Sequence, residues 1–183
     1  MSRVYVIGDL HFGHSNIYRF RTQFPNELVH RYYLRDQWNS VIKKRDVVYV
    51  LGDAAFTADG LQTFREMEGR KILVAGNHDT LPAKDYLSVF DDMYGACEYK
   101  GYWFTHIPIH PQELYRRNNI HGHCHRGGPD GPHYFNACCD FLEDFKPMLF
   151  QDVVRVLHDR QKVEAEAKQE ELKAELKHKH GRT

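Results

Sequence analysis

Three apolar runs in the first half of the chain end in the same way. "VYVIGDLH" at 4–11, "DVVYVLGD" at 46–53 and "KILVAGNHD" at 71–79 each pass from aliphatic residues through a glycine onto acidic, amide or imidazole side chains. Short, continuous apolar runs of this kind fit strands buried on both faces. They predict strands at 3–8, 46–51 and 71–75. Between the first two, Leu28, Tyr32, Trp38, Val41 and Ile42 recur at roughly helical spacing. They predict a helix over 26–44, with Pro25 and Asn26 as its start signal. A second helix is expected over 57–68, stopped by Gly69, and a third over 82–91, opened by Pro82.

Beyond Gly95 the pattern changes. Short strands are predicted at 102–106, 118–122, 133–138 and 148–156, separated by turns such as "RGGPDGPH". A βαβαβ half followed by a β-rich half predicts an α/β architecture in which two sheets pack together with helices outside. From Val156 to His180 there is no Gly or Pro, and Glu164–Lys168 and Glu175–Lys179 form helix-supporting pairs. Val163, Ala167, Leu172 and Leu176 are too sparse for a strong seam, so a solvated helix that frays near its end is expected. The chain accordingly divides into a domain over 1–157 and a charged helix or tail over 158–183.

Composition narrows the classes. At 183 residues, 42% apolar and 27% charged, the chain reads as one ordinary globular domain. Its formal net charge is zero, which argues against an electrostatic grip on long nucleic acid or an anionic membrane. No apolar run approaches the roughly 18 residues of a membrane span, and "MSRVYVIGD" does not read as a signal peptide. Four cysteines, two of them adjacent, do not resemble a disulfide framework, so a reduced cytoplasmic protein is expected. The anomaly is histidine: of 13, six lie between His106 and His133.

In an open α/β sheet, ligands collect beyond the carboxyl ends of the strands. Asp9 and His11 lie two apart, as do His123 and His125, so in extended segments each pair would face one way. Asp53 and Asn77 each follow a glycine at a strand tip. With His106 these make seven candidate metal donors: Asp9, His11, Asp53, Asn77, His106, His123 and His125. Oxygen and nitrogen donors without thiolate suit Mn, Fe, Ni or Zn. Seven exceed one tetrahedral ion but suffice for two if a carboxylate bridges ions about 3.5–4 Å apart, as in phosphate hydrolysis. Two divalent ions, less two carboxylates and one hydroxide, leave a positive charge that favours an anion such as a phosphate ester. Asn77 would face the metal and His78 the substrate, with Asp79 orienting His78. His14 and Arg126 are further candidates for substrate contact. His110, His121 and His133 read as surface or packing residues.

In order along the chain, "GDLH" at 8–11, "GD" at 52–53, "GNHD" at 76–79, "TH" at 105–106 and "GHCH" at 122–125 resemble the five signature blocks of calcineurin-like metallophosphoesterases. That resemblance spans 4–125. It implies a four-layer α/β/β/α sandwich with two packed mixed sheets and a dinuclear centre, manganese being the first expectation. One ion would take Asp9, His11, Asp53 and His125; the other would share Asp53 and take Asn77, His106 and His123. It also implies that His78, backed by Asp79, serves the phosphoryl group or leaving group while a hydroxide bridging the ions attacks phosphorus. The second block departs from the family, because "GDAAF" lacks a further polar residue. The chain also leaves no room for a large cap, which tilts the expected substrates toward small phosphodiesters or nucleotides. A non-catalytic scaffold of the same fold, or a single-strand nuclease, are the competing readings. Oligomeric state is not legible.

Overall fold

The three glycine-terminated runs lie side by side. In the computed structural model, which describes residues 2–129 and 131–180, β1 (Val4–Ile7), β2 (Val47–Val50) and β3 (Arg70–Val74) are parallel neighbours. α1 (Glu27–Val41) connects the first two, capped by Asn26, whose side-chain oxygen accepts from the Val29 amide at 2.9 Å. It stops three residues short of the expected end because Ile42 turns extended and buries its side chain. The expected 57–68 helix is α2 (Ala58–Gln62), capped by the Thr57 hydroxyl, continued as a 3-10 turn, Thr63–Glu66. The third helix is shorter than expected, α3 (Ala83–Tyr86).

Two strands were not predicted, β4 (Asp92–Tyr94) and β5 (Ala96–Tyr99). Their sequences, "DMY" and "ACEY", contain no β-branched residue, and β4 exists by pairing with β3. β6 (Tyr102–Thr105), β7 (Asn118–His121) and β8 (Tyr134–Asn136) match predicted strands. The expected strand over 148–156 is a correction. Only Met148–Leu149 pairs, as β9, and α4 runs from Phe150 to His180. Phe150, Val153 and Leu157 recur at helical spacing and are all buried, and that periodicity outweighs the β-branched composition.

The result is a mixed α/β architecture with two packed mixed sheets and flanking helices. One sheet has the order β4-β3-β2-β1-β9, with β9 antiparallel; the other is β5-β6-β7-β8, with β5 antiparallel. One core cluster joins the outer face of the first sheet to α1 and α2 through Tyr5, Ile7, Leu34, Trp38, Leu61 and Phe64. A second lies between the sheets, where Val6, Leu51 and Val74 meet Phe104, Ile120 and Phe150. Beyond the second sheet the side chains of Asn119 and Tyr134 bond the loop at Ile109, which a 3-10 turn, Pro111–Glu113, follows. From Glu164 to His178 α4 lies largely exposed.

At one end the two sheets join. Gly8, just past β1, bridges to Cys138, just past β8, through bonds of 2.7 Å from its amide to Ala137 and 3.0 Å from the Cys139 amide to its carbonyl. That join brings the carboxyl ends of β1, β2, β3, β6 and β7 to one rim.

Candidate metal centre

The loops beyond β1 and β2 are zipped together. The Asp9 amide donates to Gly52 and the His11 amide to Asp53, both at 2.9 Å. Neither Asp9 nor His11 is extended, as their two-residue spacing suggested; both have left-handed backbone, with φ of 60° and 55°. Asp53 (φ 50°) and His123 (φ 68°) share that conformation. Around His123, consecutive tight turns replace a strand: the Cys124 amide bonds Gly122 and the His125 amide bonds His123. Four of the seven donors therefore sit in a backbone region that non-glycine residues rarely adopt and that is enriched at functional sites. Cys124, between the two histidines, borders a cavity with both of them.

All seven donors converge. His11 Nε2 lies 3.8 Å from Asp9 Oδ1 and 3.7 Å from Asp53 Oδ2, and His125 Nε2 lies 3.6 Å from Asp9 Oδ1. On the other side, His106 Nε2 lies 3.4 Å from Asp53 Oδ1, 2.9 Å from Asn77 Oδ1 and 3.2 Å from His123 Nδ1. The two oxygens of Asp53 thus face two different groups of donors. Three glycines make this convergence possible, Gly122 by leaving room for the Asp9 carboxylate and two others likewise. A Cβ at Gly52, whose φ is +83°, would overlap the His106 ring, and one at Gly76 would overlap the Asp53 carboxylate. Each glycine leaves the space that a neighbouring donor fills.

Hydrogen bonding fixes which atoms offer lone pairs. His106 Nδ1 faces the Leu51 carbonyl at 2.9 Å, and a carbonyl only accepts, so Nδ1 carries the proton. With that proton placed, Nε2 is the ring atom free to ligate, and it faces the Asn77 oxygen, the Asp53 carboxylate and His123 Nδ1. Asn77 Oδ1 and the Asp53 carboxylate are opposed acceptors, and a cation between them and an Nε2 lone pair would satisfy all three. His11 Nε2 is buried and has no hydrogen-bond partner among the described residues, its nearest carboxylates being out of reach. Burial pushes the His11 imidazole below its ordinary pKa, which favours the neutral, ligating form. Orphaned nitrogen, opposed acceptors and a carboxylate between two groups all fit a pair of divalent ions. The mixed nitrogen and oxygen set suits first-row metals.

The remaining candidates surround this cluster. His78, His14 and Arg126 line a cavity of about 650 Å³ with His11, Asp53, His123 and His125. His78 stacks on Phe56, ring centroids 4.9 Å apart, and its amide donates to Asp53 Oδ1 at 2.9 Å. Asp79 does not back His78. Its carboxylate accepts from the Ala54 amide at 2.9 Å and the Gly76 amide at 2.8 Å, tying the loops beyond β2 and β3 together. Burial raises its carboxyl above the ordinary value against the pull of those amides. His110, His121 and His133 are not among the residues lining this cavity.

Sequence reasoning passed over four residues here. Phe56, noted only for lacking polarity, stacks on both His78 and His11 and meets the edge of His14. Phe20 reaches the cavity mouth and is 68% exposed. Arg21 and Asp140 lie against the cavity wall, paired with each other, and Asp140 also bonds His125. The hydrogen bond from His125 Nδ1 to Asp140, working against burial, raises the His125 pKa. No local pattern marks any of the four.

Residues 2–165 match the family of calcineurin-like phosphoesterases. A protein of Methanocaldococcus jannaschii, "Uncharacterized protein MJ1445", is 31% identical over 86% of the chain and 92% of its own length. The "Gene 66 protein" of Mycobacterium phage L5 is 33% identical, over 43% of the chain and 41% of its own length. A solved structure, "The Crystal Structure of the Protein of Unknown Function AQ665 from Aquifex aeolicus", superposes with a TM-score of 0.68 at 25% identity. It covers 85% of this chain and all of that one.

Proposed function

The chain belongs to the calcineurin-like phosphoesterase family, and on that premise we propose that it hydrolyses small phosphate esters with a pair of divalent ions. The observation that carries this reading is the division of Asp53, Oδ2 toward His11 and Oδ1 toward His106, which in turn meets Asn77. Asp9, His11, Asp53 and His125 would hold one ion, and Asp53, Asn77, His106 and His123 the other. Bound there, the ions would polarise a phosphoryl oxygen and lower the pKa of water toward neutrality.

The chain's own residues supply the rest. His78 stands beside the donors, steadied by Phe56, and would donate a hydrogen bond to a phosphoryl oxygen or a proton to the leaving oxygen. Asp79 positions that imidazole indirectly, by fixing the loop that carries it. Arg126 and His14 on the cavity wall would meet the anionic group. Ile17, Phe20 and Phe56 give the same cavity an apolar wall sized for an aryl group or nucleobase. A diester with an aromatic or nucleoside leaving group therefore fits better than a bare phosphate. Manganese is the proposed ion. The cysteines are all free thiols, which supports a reducing, cytoplasmic setting. No helix among the described residues is long and apolar enough to cross a membrane.

Protein reconstituted with Mn, Fe, Ni or Zn and offered chromogenic phosphodiesters and monoesters tests this. Hydrolysis is expected, and His78→Ala should lower kcat by about 10²–10⁴-fold while both ions still bind. Phe20→Ala should raise KM for aryl and nucleoside diesters several-fold, the worth of one aromatic contact. Inactivity with every metal would defeat the reading.

A further inference from the structure

Arg21 and Asp140 are 119 residues apart, yet they form the most connected polar pair at the site. Arg21 follows a 3-10 turn, Ile17–Arg19, and its side chain is only 3% exposed. Its Nε donates to Asp140 Oδ1 at 2.7 Å and its Nη2 to Asp140 Oδ2 at 2.6 Å, a two-pronged fork. The same Nη2 donates to the Asp9 carbonyl at 2.7 Å, and Nη1 reaches His30 Nε2 at 2.8 Å and the Leu10 carbonyl at 3.4 Å. Arg21 therefore grips the backbone of one proposed ligand, Asp9, and the carboxylate beneath another. Asp140 Oδ2 also accepts from His125 Nδ1 at 2.9 Å and from the Cys138 thiol at 3.0 Å.

This geometry points to a positioning role. We propose that Arg21 and Asp140 set the affinity of one of the two ions by holding His125 in its ligating orientation. His125 needs such support. It sits on the turn that precedes Gly127 and Gly128, and its side chain is 40% exposed, whereas His106 is buried against the Leu51 carbonyl. A carboxylate in a fork with arginine only accepts, so Nδ1 of His125 keeps the proton. The Nε2 lone pair is then left aimed toward Asp9. The pair is close to neutral as a unit, so it contributes direction rather than net charge. A buried ion pair serving the fold alone would also resist removal. It would not, however, distinguish one ion from the other, and that difference makes the idea testable.

The inference rests on the two-ion reading above. The experiment titrates metal-free protein with Mn²⁺, following heat and the electron paramagnetic resonance spectrum. Wild-type protein should take up two ions and show the spectrum of a coupled pair. Asp140→Ala should weaken one ion by about 10–100-fold and leave the other within a few-fold. At one equivalent it should show the six-line spectrum of an isolated ion. Asp140→Asn, which preserves shape and one acceptor oxygen, should lose less, and it carries the test if the alanine variant fails to fold. Two ions bound by the folded variant as tightly as by wild type would overturn the proposal, and so would equal weakening of both. A wild-type protein that takes up fewer than two ions would instead defeat the two-ion reading, and this inference with it.

Discussion

The two halves of the donor cluster each set two imidazoles beside one oxygen donor, a carboxylate in one and an amide in the other, but they are supported differently. The half around His106, Asn77 and His123 is set by backbone and close packing: the Leu51 carbonyl orients His106, and Gly52 leaves the space its ring fills. In the other half Asp9 and His11 are also zipped by backbone, but His125 is held by side chains, with Asp140 bonding it, Arg21 bonding Asp140, and His30 backing Arg21. Backbone supports leave little freedom for change. Side-chain supports can be edited one residue at a time, so the His125 half is where affinity for an ion is adjustable.

Removing what the halves share should have the largest effect. Asp53→Asn deletes charge from both at once, and the loss of several kcal/mol of metal and transition-state stabilisation should cost about 10³-fold or more in kcat/KM. Metal content measured alongside should fall for both ions. Loss of one ion alone would show that Asp53 belongs to a single half.

A smaller effect is expected from the backbone-supported half. Gly52→Ala places a methyl group on the His106 ring at a left-handed position, which should destabilise the fold by about 1–3 kcal/mol in urea unfolding. The ion nearer His106 should weaken selectively. Unchanged binding of that ion would mean the half is less constrained than its glycines indicate.

The smallest effect concerns the far end of the side-chain chain. Burial, and then the Arg21 guanidinium, push the His30 imidazole down from an ordinary 6.5 to about 3. Between those values the unfolded chain binds a proton that the folded protein does not. Stability should therefore fall as pH drops below about 6.5, by about 2 kcal/mol at pH 5. His30→Gln should flatten that part of the urea-midpoint profile, whereas an unaltered slope would place the titrating group elsewhere.

The donor types and their chain positions were legible because apolar runs ending in glycine and polar residues mark strand tips, and strand tips of an α/β sheet meet at one rim. The local geometry was not. The spacing of Asp9 and His11 resembled strand alternation, but both residues are left-handed, a choice made by the zipper between the loops of β1 and β2. Asp79 looked like a partner for His78 because they are adjacent, yet two backbone amides across the loop take its oxygens. The start of α4 resembled a strand because valines carry β preference, and only burial of Phe150, Val153 and Leu157 reveals the helical period.

Sequence alone determined the family, the order along the chain of the strands that carry donors, and the mixture of imidazole, carboxylate and amide at their tips. These follow from chemistry that is local to each segment. Tertiary structure decided which way each donor faces, which nitrogen of His106 and of His125 keeps a proton, and that Arg21 and Asp140 meet beneath His125. Such facts depend on contacts between distant segments, 119 residues apart for Arg21 and Asp140. Hydrogen bonds and close packing act across space, and no pattern along the chain encodes where they fall.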